Sequence, residues 1–308
     1  MRTALITGAQ GFLGQYISRE LAANGWGTIG VDRQSPSSPV VPLPGQAYHV
    51  IDLPSAEFCI VLASVQPDLI VHAAGPASVP DSIAQPVSDY EGSAGVLAHV
   101  LDAVRCRAPS SKFLLISSAA VYGNPPRLPV GEDSPLSPVS PYGFHRMICE
   151  ELLKEFSALF NLQTCAVRIF SAYGPGLRRQ VLWDICRMAT IHNEIVLDGT
   201  GEETRDFIHA RDIACGIRVI AERGVFDSRA YNLASGTETR LFDLAVSLAK
   251  QLGQGLTPRF RGNRRQGDPI RWCADTTRAT QLGFRSAVGL DEGLAEYARW
   301  FRAQVLNE

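Results

Sequence analysis

At 308 residues the chain is too long for a minimal domain and long enough for one large α/β domain or two linked ones. Its 45% hydrophobic and 19% charged residues can build a substantial core, which excludes wholesale disorder. Lys+Arg 29 against Asp+Glu 31 gives a formal charge of -2, so no basic surplus points to nucleic acid or anionic lipid. The 7 cysteines have no C-x-x-C spacing. They fit neither a disulfide framework nor a zinc site, so no metal is expected, and a reducing, cytoplasmic setting is. No signal-peptide pattern precedes Thr3, and no apolar run approaches membrane-spanning length.

Taken in chain order, short apolar runs alternate with helical patterns. Strands are expected over Thr3–Thr7, Thr28–Asp32, Ala47–Asp52, Asp68–Ala74, Lys112–Ser118 and Thr164–Phe170. They lack in/out alternation, as strands buried on both faces of a parallel sheet do. Helices are expected over Leu13–Asn24, Ala94–Arg107 and Pro141–Phe160. Two loops stand out: Gln34–Gly45, rich in Pro and Ser, and Asn124–Pro141, which reads as a border of a substrate site or as a rigid connector. Beyond Phe170 the pattern loosens into helices at Leu182–Ile191 and Leu241–Leu252 and a returning strand at Ala230–Ser235. The expected fold is α/β, a Rossmann-like doubly wound parallel sheet with a smaller interleaved C-terminal substrate-binding lobe.

Thr7-Gly8-Ala9-Gln10-Gly11-Phe12-Leu13-Gly14 follows the first strand and opens a helix. Glycines there allow a tight turn, close approach of a pyrophosphate and helix-on-strand packing, and the free N–H groups of the helix start face the phosphates. Asp32 closes the second strand, where a carboxylate can accept from an adenosine ribose diol. It favours NAD over NADP, whereas Arg33 beside it can pair with a 2′-phosphate and keeps NADP open. Asp52, at the end of the third strand, reads as an acceptor for an adenine amino group or as a turn or N-cap aspartate. Residues 1–170, with 205–235 returning to them, then form the NAD(P)-binding domain, and 171–204 and 236–308 form the lobe.

Tyr142 and Arg146 stand four residues apart near the start of a helix whose apolar positions are Ile148, Leu152, Phe156 and Leu159. They share a face, and a fixed positive charge near a phenol favours the phenolate. Such a tyrosine can serve as general acid/base on a sugar or alcohol hydroxyl. Ser118, at the end of the fifth strand, can hold the same oxygen.

These residues sit within T-G-A-Q-G-F-L-G at 7–14, H-A-A-G at 72–75, S-S-A-A-V-Y-G at 117–123, P-Y-G at 141–143, R-I-F-S-A-Y-G-P-G at 168–176, R-D-F-I-H-A-R-D at 205–212, Y-N-L-A-S-G at 231–236 and A-D-T-T-R-A at 274–279. In this order they resemble the extended short-chain dehydrogenase/reductase family, in its nucleotide-sugar epimerase/dehydratase branch. The resemblance implies an NAD(P)-binding Rossmann domain and a lobe that grips a nucleoside diphosphate-sugar. It implies that Ser118, Tyr142 and Arg146 occupy the catalytic Ser/Thr–Tyr–Lys positions. It implies cofactor contacts from Gly8, Gly11, Phe12, Leu13, Gly14, Asp32, Arg33, Asp52, Leu53, Ala73, Ala74, Tyr142 and Arg146. It implies substrate contacts from Ser171, Arg205, Arg265 and Asp268, and a homodimer through the Ala94 and Pro141 helices.

The departures carry information too. Arg146 replaces the family's lysine, and arginine is larger, planar and differently hydrogen-bonding. His145 stands where Ser or Thr is usual and reads as a helix-surface histidine. Ala119 and Ala120 replace the acidic pair of family dehydratases, which disfavours elimination of water. Ser171 and Gly92 replace common asparagines. Three functions follow: an NAD-dependent nucleotide-sugar epimerase, an NAD(P)H-dependent 4-keto-sugar reductase using the same residues, or a weakened NAD(P)-binding regulator, which Arg146 motivates.

Overall fold

The computed structural model describes residues 1–35, 46–253, 255–263 and 265–305. Most of the expected Pro/Ser-rich loop therefore lies outside the described residues. Seven strands form the central sheet: β1 (Thr3–Thr7), β2 (Gly27–Asp32), β3 (Gln46–Val50), β4 (Leu69–His72), β5 (Lys112–Ser118), β6 (Thr164–Ile169) and, after three strands that lie elsewhere, β10 (Ala230–Leu233). The order across the sheet is β10-β6-β5-β4-β1-β2-β3, and every pairing is parallel. Asp52 does not close the third strand as expected: β3 ends at Val50, and Asp52 lies exposed just beyond it.

The runs fail to alternate in polarity because both faces of the sheet are covered. Ala4 and Ile6 join one apolar cluster and Leu5 joins the other. The first cluster receives Ile17 and Leu21 from α1 (Phe12–Ala23) and Ile213, Ile217 and Ile220 from α8 (Ala210–Arg223). The second receives Phe58 and Leu62 from α2 (Ala56–Val65) and Leu97 and Leu101 from α5 (Val96–Arg107). Leu153 reaches it from α6 (Pro141–Phe160). Each fully buried Leu or Ile contributes about 1.5–3 kcal/mol, so these two layers dominate the stability of the domain. The short helices α3 (Val79–Ala84) and α4 (Pro86–Tyr90) follow β4, and a π turn over Glu91–Gly95 joins α4 to α5.

The lobe is built from β7 (Ser171–Tyr173), β9 (Thr204–His209) and β11 (Glu238–Arg240), in the order β11-β9-β7. Beside them β8 (Val196–Leu197) pairs with β12 (Arg259–Phe260). Helices α7 (Gln180–Arg187), α9 (Leu241–Gln251) and α11 (Leu290–Val305) close a third apolar cluster around Leu182, Leu244 and Leu294, and α10 (Thr277–Gln281) lies against β10. The segment 205–235 thus runs first through β9 of the small sheet and then through α8 and β10 of the central one. No helix among the described residues is long and apolar enough to cross a membrane.

Candidate active site

Strand order reverses between β1 and β4, and in open parallel sheets the crevice at such a point receives ligands. The glycine loop sits there, and its geometry requires glycine. Gly8 has φ +69°, and a Cβ on it would lie 2.6 Å from the Ala74 nitrogen and 2.7 Å from the Ala73 carbonyl carbon. A Cβ on Gly14 would collide with the Gly8 carbonyl oxygen. The loop after β1 and the segment after β4 therefore approach too closely for any side chain at Gly8, which keeps the backbone bare at the head of α1. Asp32 accepts from the Gln10 N–H at 3.0 Å through Oδ2 and from the Gln34 N–H at 3.1 Å through Oδ1. Each oxygen keeps lone-pair capacity for a ribose hydroxyl. Arg33 is exposed next to it, and Leu53 is half-buried below the end of β3. Phe12 and Leu13 divide: Leu13 packs on the central sheet, while Phe12 packs against the lobe near Gly176. The residues present fit a dinucleotide.

Tyr142 stands in the first turn of α6, and the start of that helix fixes its position. Ser140 caps the helix, its Oγ accepting from the Gly143 N–H at 3.2 Å, and Pro141 suits the first turn. Gly143 has no side chain to spare, since a Cβ would lie 2.6 Å from the Ala120 carbonyl oxygen. That contact sets the head of α6 on the tight turn Ala119–Tyr122, directly after Ser118. Ser118 and Tyr142 are both half-buried, and Ser118 Oγ accepts from the Ala120 N–H at 3.2 Å. Ala119 and Ala120 are buried and carry no acid into the site.

Arg146 is buried, at 5% exposure, with its guanidinium carbon 5.2 Å from the centre of the Tyr142 ring. The expected cation beside the phenol is present, stacked towards the ring. Nη2 donates to the Pro76 carbonyl at 2.5 Å and Nη1 to the Ile116 carbonyl at 3.3 Å, while Nε has no hydrogen-bond partner among the described residues. Burial opposes the charge, yet the neighbouring Tyr142, Cys149 and Asp89 outweigh it and hold the guanidinium pKa above its ordinary value. His145 is not the surface residue expected. Its ring is 13% exposed and its Nδ1 lies 2.5 Å from Oδ1 of the buried Asp89. A partner 56 positions away could not be read from helical spacing. At the end of β4, His72 is buried against Thr7 Oγ1 at 2.8 Å; burial, reinforced by Arg146, pushes its pKa down to about 3.

Beyond the crevice the lobe supplies the remaining candidates. Ser171 is half-buried at the start of β7. Arg205 on β9 is 9% exposed, donates to the Thr204 carbonyl at 2.8 Å and lies 5.6 Å over the Trp272 ring. Burial lowers its pKa against the pull of Asp268 and Glu203. Arg265 is exposed and bonded to Asp198 at 2.7 Å, a partner that motif reading missed. Asp268 is exposed at its surface, yet partial desolvation by its neighbours raises its pKa, and Arg205 and Arg265 act against that rise. Arg205, Arg265 and Asp268 therefore form one electrostatic group, fit for the bidentate recognition of a diphosphate. Groups of three or more His, Cys, Asp or Glu able to hold a metal are absent among the described residues.

Comparison with known proteins agrees with this fold. Residues 4–234 match the NAD dependent epimerase/dehydratase family. The chain is 29% identical to the UDP-glucose 4-epimerase of Mycolicibacterium smegmatis, over 98% of this chain and 99% of that one. Among solved structures, a UDP-glucose 4-epimerase of Thermotoga maritima bound to UDP-glucose superposes with TM-score 0.88 at 26% identity, over 98% of this chain and 99% of that one. MoeE5 in complex with UDP-glucuronic acid and NAD gives the same TM-score of 0.88, at 26% identity and the same coverage of 98% and 99%. The fold and the crevice define a dinucleotide-dependent enzyme of the extended short-chain dehydrogenase/reductase type. The chain belongs to the NAD dependent epimerase/dehydratase family, and NAD is its cofactor.

Proposed function

We propose that this NAD-dependent nucleotide-sugar epimerase inverts C4 of a UDP-hexose, with Tyr142 as general acid/base. The full-length likeness to UDP-glucose 4-epimerases carries the reading. Gly8, Gly11, Gly14, Asp32, Ala73 and Ala74 hold the cofactor, with Phe12, Leu13, Asp52 and Leu53 around it. A dinucleotide held there would supply a hydride acceptor and donor for the sugar carbon, so inversion would leave no net redox change. Tyr142 removes the proton of the sugar hydroxyl and gives it back when the keto sugar is reduced. Ser118 Oγ donates to the same sugar oxygen and fixes its distance from the phenol. Arg205 and Arg265 grip the diphosphate, with Asp268 and Ser171 completing the lobe side. Ala119 and Ala120 leave no acid to expel a hydroxyl, so the keto sugar is reduced rather than dehydrated.

The enzyme acts in the cytoplasm as a homodimer. All seven cysteines are free, which suits a reducing compartment. The test of the reaction is direct. Purified enzyme given a panel of UDP-, dTDP-, GDP- and CDP-sugars should convert UDP-glucose to UDP-galactose without consuming NADH or NADPH. Stoichiometric NADPH oxidation with no epimer formed would overturn the reading in favour of a reductase.

A further inference from the structure

Arg146 stands where the resemblance places a lysine, and its contacts here suit a guanidinium. The guanidinium holds two backbone carbonyls, Pro76 and Ile116, that belong to different strand ends. A lysine presents a single nitrogen and cannot reproduce that planar span. Pro76 ends the segment Ala73–Pro76 that leaves β4, and the backbone of Ala73 and Ala74 is the wall against which Gly8 is pressed. Arg146 is therefore bonded to the same short segment that shapes the cofactor cradle.

Two glycines make the room. At Gly75, with φ +122°, a Cβ would lie 3.4 Å from Arg146 Nη2 and 3.2 Å from the Gly92 carbonyl oxygen. At Gly92, in the π turn between α4 and α5, a Cβ would lie 3.2 Å from Pro76 Cδ and 3.5 Å from Cγ. π turns inside helices recur at functional sites, and here the irregularity carries Gly92 up against Pro76. The same helical segment supplies Asp89, 5% exposed, one of the groups that with Tyr142 and Cys149 favour the buried guanidinium charge. Its Oδ2 has no hydrogen-bond partner among the described residues. Asp89 also holds His145 Nδ1 through Oδ1, so this one buried carboxylate both orients His145 and favours the charge on Arg146.

We infer that Gly92 is a positioning residue for catalysis. Its missing side chain lets the π turn close on Pro76, and Arg146 then fixes the Ala73–Pro76 segment against the Gly8 cradle. Arginine at 146 is a latch on this segment. This rests on the Tyr142 reading of the reaction and adds to it a residue that touches neither sugar nor reacting atoms.

The experiment is a double-mutant cycle on the holoenzyme, Gly92→Ala against Arg146→Lys, read as kcat, KM for UDP-glucose, retained NAD and Tm. Alanine is well accepted in a helix, so Gly92→Ala should hold or raise Tm while lowering kcat about tenfold, with KM changed less than about twofold. Arg146→Lys should lower kcat by about tenfold or more, and the double variant should be no slower than Arg146→Lys alone, because the latch is already open. Multiplicative losses, a faster Arg146→Lys enzyme, or wild-type kcat in Gly92→Ala would each overturn the inference. The last of these decides the matter even if Arg146→Lys does not fold. Tyr142→Phe assayed alongside keeps the two ideas apart: full activity there would sink the proposed reaction, whatever the cycle gives.

Discussion

A phenol does acid/base work only if it is held against the substrate oxygen, and every contact at the head of α6 serves that placement. Ser140 caps the helix, Gly143 lets it touch the turn after Ser118, and Arg146 stacks towards the ring. Removing the phenolic oxygen alone should therefore abolish chemistry and spare binding. Tyr142→Phe is expected to lower kcat by about 10²–10⁴-fold with UDP-sugar affinity close to wild type, by steady-state assay and calorimetry. Equal losses in affinity and turnover would point instead to a disrupted site. His72 gives a second prediction at this scale. Its folded pKa of about 3 lies below the ordinary histidine value of 6.5, so the unfolded chain binds the extra proton between these values. Stability from this group is complete above pH 6.5 and is lost progressively as pH falls towards 3. His72→Asn should flatten the pH dependence of urea unfolding in that window by up to one proton, about 1.4 kcal/mol per pH unit. An unchanged slope would show that other groups dominate acid unfolding.

Elements were legible in the sequence where their residues answer to local rules. β1, β5 and β6 read as buried strands because both of their faces are covered, and α6 announced itself through Pro141 and its apolar spacing. The lobe's strands did not, since β8 and β12 have two residues each and exist only through pairing with distant chain. The candidate site divides in the same way. Gly8, Gly14, Asp32, Ser118 and Tyr142 could be chosen from motif context, but the Asp89–His145 pair, the Asp198–Arg265 bond and the room at Gly92 depend on long-range packing. Beneath the site, a similarly hidden network ties three elements together. Glu150 on α6 accepts from Ser117 at 2.6 Å and from Arg168 Nη2 at 2.7 Å, and Arg168 also donates to the Tyr122 hydroxyl at 2.7 Å. Arg168 and Glu150 side chains are 6% and 4% exposed, so removing one strands the other in an apolar setting. Glu150→Ala should cost about 3–5 kcal/mol in denaturant unfolding, far above a surface pair. A loss under about 1 kcal/mol would mean that water enters and replaces the carboxylate.

At the scale of the molecule, α6 carries an apolar stripe on its outer face. Phe144 is 47% exposed and Leu159 68% exposed on α6, in line with the half-buried Ile148 and Leu152. Tyr90 at 45% and Val87 at 68% extend the patch across α4. A helix stripe this apolar, continuous with the second core cluster through Ile148 and Leu152, is poorly suited to permanent contact with water. A second copy related by a twofold axis would cover it with the same stripe, α6 against α6, and extend the apolar layer already under the sheet. Tyr142 and Arg146 project from the other side of this helix, so a dimer here would also brace the element that carries the acid/base. Phe144 is the place to break it, because a charge at the centre of an isologous contact meets its own copy. Sedimentation should find the wild-type enzyme at twice 33.4 kDa and Phe144→Arg at 33.4 kDa with its fold intact by circular dichroism. If α6 is steadied by the contact, the monomer should also lose turnover while keeping NAD; a monomeric wild type would assign the patch to some other partner.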